Sequence, residues 1–416
     1  MKTARIPSTT AALAAAALLT LTACSSAAPT AADDDSATGH GYVEGASEMQ
    51  EPQLRLATID GAGGLASFDL VSGETAELAT VAGETSLTTD GRYLFAADAH
   101  TGGVRIVDTG AWTVPHGDHS HYYLAEPRIV GDIDGGADAG AARISAGTVA
   151  TAIWFGDTGT GIVLDVDALA HGELTELGRV ETTPHDGVLV PLGRHLVGSA
   201  AAAPGESASS LRVYRLDGDT VGGAAVDCNN ARGSATTRVG VVVGCADGAV
   251  LATETAEGAV AFETIAYPAG TPAGDVATAF SGRPGRPAVA AIAGTRGAWL
   301  LDSRARTLAL VATPEPLLRV SAVGDADGLI VAVGASGRLL VLLPDGLLAQ
   351  TEPLLAADIV DGVLAEGVSV EVDIARAYVN SPSAGVVYEI DYADDARVAR
   401  TLDVPGDAAQ MVETGR

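Results

Sequence analysis

The sequence is poor in positive charge, cysteine, aromatic residues and long apolar runs. Of its 416 residues, 24 are Lys or Arg and 53 are Asp or Glu, which gives a formal net charge of −29. A field of this sign repels a phosphate backbone, so nucleic acid is a poor partner. Cations, in contrast, are enriched near such a surface. The charge therefore permits metal binding, although it serves solubility equally well.

Only one apolar run of signal-peptide length is present, at the N-terminus. Lys2 and Arg5 precede the apolar residues 11–21, which are too few to span a bilayer as a helix. The run ends in LTAC (residues 21–24), which resembles the lipobox of bacterial lipoproteins, a family in which the cysteine is acylated. We expect a signal peptide over residues 1–23 and a lipid anchor at Cys24 on the outer face of the cell membrane. The alternative is an ordinary cleaved signal with an incidental cysteine.

The chain after this cysteine divides into two parts by composition. Residues 24–50 are rich in Ala, Ser, Asp and Gly, so they bury little surface and are predicted to form a flexible tether. No later apolar run is long enough to cross a membrane. Residues 51–416 suffice for a full hydrophobic core, and we assign them to one domain.

Two cysteines remain if Cys24 carries lipid. Cys228 and Cys245 form an even pair in an exported chain, which favours a disulfide bond. The alternative is two thiolate zinc ligands, which an oxidising compartment would consume.

Helical periodicity is nearly absent after the signal peptide. Short Val, Leu, Ile and Ala runs alternate with Gly and Asp, as expected for many short strands. A phrase of two strands recurs about every 45 residues, roughly eight times. We predict an all-β chain that forms a single β-propeller of eight blades, with seven as the alternative. Small residues in the first strand of each phrase are expected to fit the crowded inner strands.

A cluster of histidines is the main candidate site. The stretch PHGDHSHYY (residues 115–123) contains His116, Asp118, His119 and His121. In an extended segment His119 and His121 project to the same side, because the side-chain period of a strand is two. Neutral imidazole and carboxylate are ordinary zinc ligands, so the stretch predicts a Zn²⁺ site.

Other histidines are weighed as partners for this cluster. His100 and His185 each lie at a predicted strand boundary, and either would supply a ligand from another part of the ring. His195 is interpreted as a packed or surface residue and His171 as an exposed one. His40 lies in the tether. A solvated His-rich loop is the alternative for the whole cluster.

The stretch around these residues resembles the signature segment of AztD-type zinc metallochaperones. The likeness covers residues 112–127, the sequence PHDG (residues 184–187), and the segment from Cys228 to residue 248. It implies an exported β-propeller that passes zinc to the solute-binding protein of a zinc ABC transporter. One departure is visible, because the family implies a His-Gly pair after Cys228 where this chain has NNARG (residues 229–233).

Three classes of function follow from these observations. The first is zinc delivery to the transporter's solute-binding protein, without enzymatic activity. The second is a zinc-dependent hydrolase or lactonase, but no Gly-x-Ser-x-Gly elbow or phosphate-binding loop is present. The third is a scaffold or adhesion lipoprotein on a propeller, since that architecture by itself does not determine function.

Overall fold

The structure is a computed structural model that describes residues 41–81, 85–116, 119–136 and 138–416. The predicted signal peptide, Cys24 and His40 lie outside the described residues. In the part of the chain that is described, no helix is long and apolar enough to cross a membrane.

Strands make up nearly all of the regular structure. In chain order, those of the first half are β1 (Ser47–Met49), β2 (Arg55–Ile59), β3 (Gly64–Asp69), β4 (Thr75–Thr80), β5 (Thr85–Thr89), β6 (Tyr93–Asp98), β7 (Gly103–Asp108), β8 (Ala111–His116), β9 (His119–Leu124), β10 (Arg128–Asp134), β11 (Ala142–Ala146), β12 (Ala150–Phe155), β13 (Thr160–Asp165), β14 (Glu176–Glu181), β15 (Leu189–Leu192), β16 (His195–Ala200), β17 (Ser210–Arg215) and β18 (Thr220–Asp227). A short helix, α1 (Val166–Ala170), follows β13.

The second half continues in the same style. Its strands are β19 (Arg232–Thr236), β20 (Val241–Cys245), β21 (Gly248–Glu254), β22 (Val260–Ala266), β23 (Ala288–Ala293), β24 (Gly297–Asp302), β25 (Thr307–Ala312), β26 (Leu317–Ala322), β27 (Ile330–Gly334), β28 (Leu339–Leu343), β29 (Gly346–Gln350), β30 (Ile359–Val360), β31 (Val363–Leu364), β32 (Val370–Val372), β33 (Ala377–Ser381), β34 (Val386–Asp391), β35 (Arg397–Leu402) and β36 (Gln410–Thr414). Two 3₁₀ turns, Ala273–Asp275 and Ala356–Asp358, lie in connections between sheets.

The strands form a β-propeller, as the sequence predicts. The described residues contain nine small antiparallel sheets of three or four strands, one of which, β1-β9-β8, is described below. The other eight succeed one another along the chain. Their strand orders are β36-β2-β3-β4, β5-β6-β7-β10, β11-β12-β13-β14, β15-β16-β17-β18, β19-β20-β21-β22, β23-β24-β25, β26-β27-β28-β29 and β32-β33-β34-β35. The number of blades stays a prediction.

The two-strand phrase of the sequence corresponds to the two middle strands of each four-stranded sheet of the ring, and to the first two strands of β23-β24-β25. In the second sheet, for example, the phrase is β6 and β7, and β5 pairs with the other side of β6. The small-residue strand β6 is therefore the second strand of its sheet, paired on both sides, and all but its last residue are buried. Some of the first strands are more polar, such as Thr85–Thr89 and Arg232–Thr236, and carry no apolar run that would mark them.

The first and last strands of the domain share one sheet. β36, at the C-terminal end, pairs with β2 in five consecutive positions, from Arg55↔Thr414 to Ile59↔Gln410. The sheet thus takes its inner strand from one end of the chain and its other three from the opposite end. This pairing closes the ring and protects an edge that would otherwise be open to aggregation.

Apolar side chains fill the space between neighbouring sheets. Phe95 and Ile106 of the second sheet pack with Ile153, Phe155 and Ile162 of the third, and each of these five side chains is at most 1% exposed. Burying a side chain of this size stabilises the fold by about 1.5–3 kcal/mol. Each sheet therefore depends on its neighbours for most of its stability.

The disulfide predicted from the sequence is confirmed. Cys228, which directly follows the outer strand of the fourth sheet, is bonded to Cys245 in the fifth. The bond links two successive sheets, and it rules out the alternative in which both thiolates hold zinc. Disulfides persist in oxidising compartments, which agrees with a protein outside the cytoplasm.

A hairpin interrupts the second sheet between its third and fourth strands. The chain leaves β7, forms β8 and β9, and returns as β10 at the outer edge of the same sheet. The hairpin strands pair in register from Ala111↔Leu124 to His116↔His119. β1 adds to the free edge of β9, which makes a separate three-stranded sheet in the order β1-β9-β8.

Candidate metal centre

Three histidines lie on one face of the hairpin. His119 and His121 alternate with Ser120 along β9 and therefore point to the same side, as predicted. His116 lies directly opposite His119 on β8, and cross-strand partners share a face. The antiparallel register thus brings together three imidazoles from six consecutive residues.

The three rings are close enough to hold one metal ion. Each offers a ring nitrogen, and these atoms all lie within 4.8 Å of one another. The ring centroids are 5.1 Å apart for His116 and His119, 4.9 Å for His119 and His121, and 5.7 Å for His116 and His121. Within the described ranges, no other group of three His, Cys, Asp or Glu residues meets this condition.

The donor set fits a divalent transition metal. Tetrahedral coordination at about 2.0–2.1 Å places two imidazole nitrogens roughly 3.4 Å apart. His116 and His119 are exposed and His121 is half-buried, so small side-chain rotations are enough to close the remaining distance. Three protein ligands leave a fourth position open to water or to an incoming ligand.

A carboxylate outside the hairpin contacts one of the rings. The Nδ1 atom of His121 lies 2.6 Å from the Oε1 atom of Glu48 in β1. Glu48 lies directly opposite Tyr123 in the β1–β9 register. Tyr123 and His121 are two residues apart on β9, so Glu48 is on the same face as His121. Burial, together with the negative charge of Glu48, raises the pKa of the Tyr123 hydroxyl.

An ion-pair network holds the base of the hairpin. Asp108, the last residue of β7, is 3% exposed and accepts hydrogen bonds from the Nε and Nη2 atoms of Arg92 at 3.0 and 2.8 Å. The backbone N–H of Gly110 donates to the same carboxylate at 3.0 Å. Arg128, the first residue of β10, approaches it at 3.4 Å. The buried carboxylate of Asp108 thereby connects the residues just before the hairpin with Arg128, which follows it.

Stacked rings connect this base to the histidines. The guanidinium of Arg92 lies 3.8 Å from the ring centroid of Trp112, a cation–π contact. Trp112 stacks on Tyr123 at 5.3 Å, and Tyr123 stacks on His121 at 6.4 Å. Since Trp112 and Tyr123 are both buried, the ring of His121 packs on a rigid support.

Asp118 and Gly117, which join the two hairpin strands, lie outside the described residues. The role of Asp118 as a ligand therefore stays a prediction.

His100 is at the other end of the second sheet. It follows β6, whereas the hairpin begins after β7, and antiparallel connections alternate between the two ends of a sheet. β7 has six residues and so separates these ends by about 20 Å. The backbone N–H of His100 donates to Asp98 Oδ1 at 2.8 Å. The structure does not bring His100 into the histidine cluster.

His185 is held inside a loop between the third and fourth sheets. It is 2% exposed, and its Nδ1 and Nε2 atoms lie 2.7 Å from the Thr183 carbonyl and 2.8 Å from Ser199 Oγ. The carbonyl can only accept, so Nδ1 carries a proton, and Nε2 shares a hydrogen bond with the hydroxyl. A Cβ at Gly187 would come within 2.5 Å of His185 Nε2. The PHDG sequence thus builds a packed loop, and both nitrogens of its histidine are already bonded.

The remaining histidines match their sequence interpretations. His171 is exposed at the end of α1, where its Nδ1 lies 2.8 Å from the Asp167 carbonyl. His195 is partly buried in β16, with Nδ1 3.9 Å from a carboxylate oxygen of Glu254. Among the described residues, neither forms a group with other possible ligands that could hold a metal.

Sequence reasoning missed Glu48 and Arg92 as residues of the site. Glu48 precedes His121 by 73 positions in a segment whose composition predicts a tether. No local signal marks it, because its contact with His121 depends on pairing between β1 and a distant hairpin edge. Arg92 lies in a turn, and only the fold shows that this turn faces the hairpin.

Comparisons with known proteins place the fold. No protein-family model matches the chain, and no curated protein matches it in sequence. Among solved structures it is similar to a crystal structure of Citrobacter koseri AztD, with a TM-score of 0.73 and 20% identity over 88% of this chain and 98% of that one. The structure of apo AztD from the same organism gives a TM-score of 0.72 and 19% identity over 88% and 98%. The crystal structure of a computationally designed protein, Ika8, has a TM-score of 0.52 and 14% identity over 80% of this chain and 91% of that one. The resemblance to AztD-type proteins is thus confirmed at the level of the fold.

Proposed function

We propose that this protein is a zinc-binding metallochaperone that delivers Zn²⁺ to the solute-binding protein of a zinc ABC transporter. The observation that carries the proposal is the convergence of His116, His119 and His121 on one exposed face. The AztD-like fold and the AztD-like sequence around these residues support it. Imidazole ligands suit zinc, and Glu48 beside the cluster adds negative charge that favours a cation.

The exposure of the cluster suits transfer better than permanent storage. A closed structural zinc site uses four protein ligands, often thiolates, whereas this site offers three imidazoles, two of them exposed, on a hairpin. A receiving protein can place its own ligand in the open position before the first imidazole leaves. Exchange can therefore proceed without a free ion.

The surroundings of the protein are part of the proposal. We infer an anchor at Cys24 that keeps the domain beside the membrane transporter, outside the cytoplasm. We also infer that it has no enzymatic activity and no nucleic-acid partner. A cavity of about 530 Å³ among the inner strands is lined by residues such as Arg143, Ser145 and Arg232, and none of the three histidines lines it. This cavity and the histidine cluster are thus lined by different residues.

Metal binding is tested with paired histidine variants. His119→Ala combined with His121→Ala should abolish binding of one zinc ion, since a single imidazole holds the ion weakly. The measurement is zinc content after dialysis together with titration calorimetry. His171→Ala, which removes an exposed imidazole elsewhere, should leave the stoichiometry unchanged. Equal zinc content in the double variant and the wild type contradicts the assignment.

Delivery is tested by mixing. Zinc-loaded protein is incubated with the metal-free solute-binding protein of a zinc ABC transporter, and the metal in each is measured after separation. We expect transfer that is faster than release of zinc to a chelator. Transfer at the rate of simple dissociation argues against a chaperone. Zinc-dependent hydrolysis of esters or lactones that is lost in the His119→Ala, His121→Ala variant would favour an enzyme instead.

A further inference from the structure

A segment before the propeller lies against the metal-binding hairpin. Residues 41–49, here called the strap, precede the first sheet in sequence but contact an insertion of the second. Its last part is β1, which pairs with β9 at Ser47↔Leu124, Glu48↔Tyr123 and Met49↔Tyr122. The sequence alone assigns these residues to the tether.

The beginning of the strap contacts the other hairpin strand. The carbonyl of Gly41 accepts a hydrogen bond from the Trp112 Nε1–H at 3.1 Å. Gly41 has φ +75°, and a Cβ on it would lie 2.5 Å from Val114 Cγ2. The ring of Tyr42 meets Tyr123 edge-on at 6.4 Å. The strap therefore reaches β8 and β9 along the side that carries the histidines.

Glu48 is the strap residue that meets the metal cluster. A carboxylate can only accept a hydrogen bond, so at 2.6 Å the Nδ1 atom of His121 carries the proton. The lone pair of the neutral ring is then on Nε2. Metal-ligating histidines commonly donate their other N–H to a carboxylate, which fixes the tautomer and makes the ligand more basic.

We propose that Glu48 is a positioning residue of the metal site, and that docking of the strap sets the affinity of the cluster for metal. Glu48 holds His121 as the Nδ1-protonated tautomer and turns Nε2 toward His116 and His119. When the strap leaves the hairpin, the ring loses its partner and binds metal less tightly. The inference rests on the proposed metal-binding function and adds a control element to it.

The tautomer is measured first, on metal-free protein. Histidine labelled with ¹⁵N gives long-range ¹H–¹⁵N spectra that show which nitrogen of each ring is protonated, and His121→Ala assigns the signal. We expect Nδ1 protonation in the wild type and a shift toward the Nε2-protonated form in Glu48→Ala. Glu48→Gln should retain part of the preference, since its amide oxygen still accepts. An unchanged His121 signal in Glu48→Ala overturns the proposal.

Affinity is measured next, with Zn²⁺ alone as the probe. Glu48→Ala should weaken zinc binding by about 10–100-fold while the stoichiometry stays the same. Glu44→Ala removes an equal charge from an exposed position of the strap and should change neither the affinity nor the tautomer. Complete loss of zinc in Glu48→Ala would mean that Glu48 is itself a ligand, and would overturn the positioning role.

Docking is tested separately through the backbone. Gly41→Ala places a Cβ 2.5 Å from Val114 Cγ2, a steric clash that should displace the strap. Zinc binding should then weaken, as in Glu48→Ala. Gly45→Ala is the matched control, because Gly45 also has positive φ, at +90°, but its Cβ would meet nothing within 4 Å. Equal affinities in these two variants contradict the docking part. Should the wild type bind no metal, the proposed function fails, while the tautomer measurement still decides whether Glu48 orients His121.

Discussion

At the scale of single residues, Asp108 has the largest structural role near the site. Its buried carboxylate receives two hydrogen bonds from Arg92 and one from the Gly110 backbone, and it pairs with Arg128. Removal of one member of a buried ion pair leaves the other charges without compensation, which costs more than the pair contributes. The hairpin base should therefore be sensitive to this position.

We expect Asp108→Asn to lower the free energy of unfolding by about 3 kcal/mol, because Arg92 then keeps a desolvated charge without an anion. Denaturant unfolding measures this change. Asp132→Asn is the control in the same sheet, since Asp132 pairs with Arg105 at 2.7 Å while 57% of its side chain is exposed. Exposed pairs contribute about 1 kcal/mol or less. Equal losses of the free energy of unfolding in the two variants would show that Asp108 does not stabilise the hairpin base more than an exposed ion pair does.

The histidines of the site could be predicted from sequence because they are local. Two lie on one strand at a spacing of two, and the third is brought back by a short connection. Glu48 could not be predicted, since its contact with His121 depends on pairing between segments 73 residues apart. His185 was expected to supply a ligand to the cluster, and the fold places it elsewhere. It was a candidate because it lies at a predicted strand boundary, but in the fold both of its ring nitrogens have a partner inside the protein.

At the scale of elements, the hairpin is an insertion that the propeller does not need for its own pairing. The residues that flank it are hydrogen-bonded to each other: the backbone N–H of Ala125 donates to the Gly110 carbonyl at 2.7 Å. β7 and β10 pair directly with each other, and β8 and β9 belong to a different sheet. We therefore expect that metal binding by the hairpin can be removed without unfolding the propeller.

Replacement of residues 111–124 by Asn-Gly should leave a folded propeller that binds no zinc. A two-residue turn of this type connects antiparallel strands well. Circular dichroism and thermal unfolding would show a β-rich, cooperative domain, and zinc content would fall to background. The comparison is a variant with Ala at His116, His119 and His121, which keeps the hairpin and should match its zinc content. Loss of cooperative unfolding only in the deletion would mean that the hairpin supports the ring.

The sequence predicts the middle strands of each sheet better than the outer and inner ones. β6 and β7 are apolar, buried and bounded by Gly and Asp turns, so their pattern is clear. β5 and β10 have exposed or polar positions and contain no comparable signal. The pairing of β36 with β2 joins segments at opposite ends of the domain, which no local pattern can reveal.

At the scale of the whole molecule, ring closure places an acidic residue in the interior. Glu413 of β36 is fully buried, and its Oε2 atom lies 2.8 Å from the guanidinium of Arg416. Arg416 also pairs with Glu371 at 2.9 Å. Burial, with Asp373 and Glu371 nearby, raises the pKa of Glu413 from 4.5 to about 7, although Arg416 opposes the shift. The strand that closes the ring therefore carries a group that holds its proton more tightly when folded.

The free energy of unfolding should consequently depend on pH through Glu413. Below pH 4.5 the group is protonated in both states, and between pH 4.5 and about 7 the folded protein keeps a proton that the unfolded chain has lost. Stability from this group therefore falls as pH rises through that window, by up to about 3 kcal/mol. Glu413→Gln stays neutral, so its stability relative to the wild type should increase from pH 4.5 to 7. Denaturant unfolding at several pH values measures the difference, with Glu77→Gln as the control at an exposed position. A difference between Glu413→Gln and the wild type that is constant with pH would show that Glu413 is ionised throughout, held by Arg416.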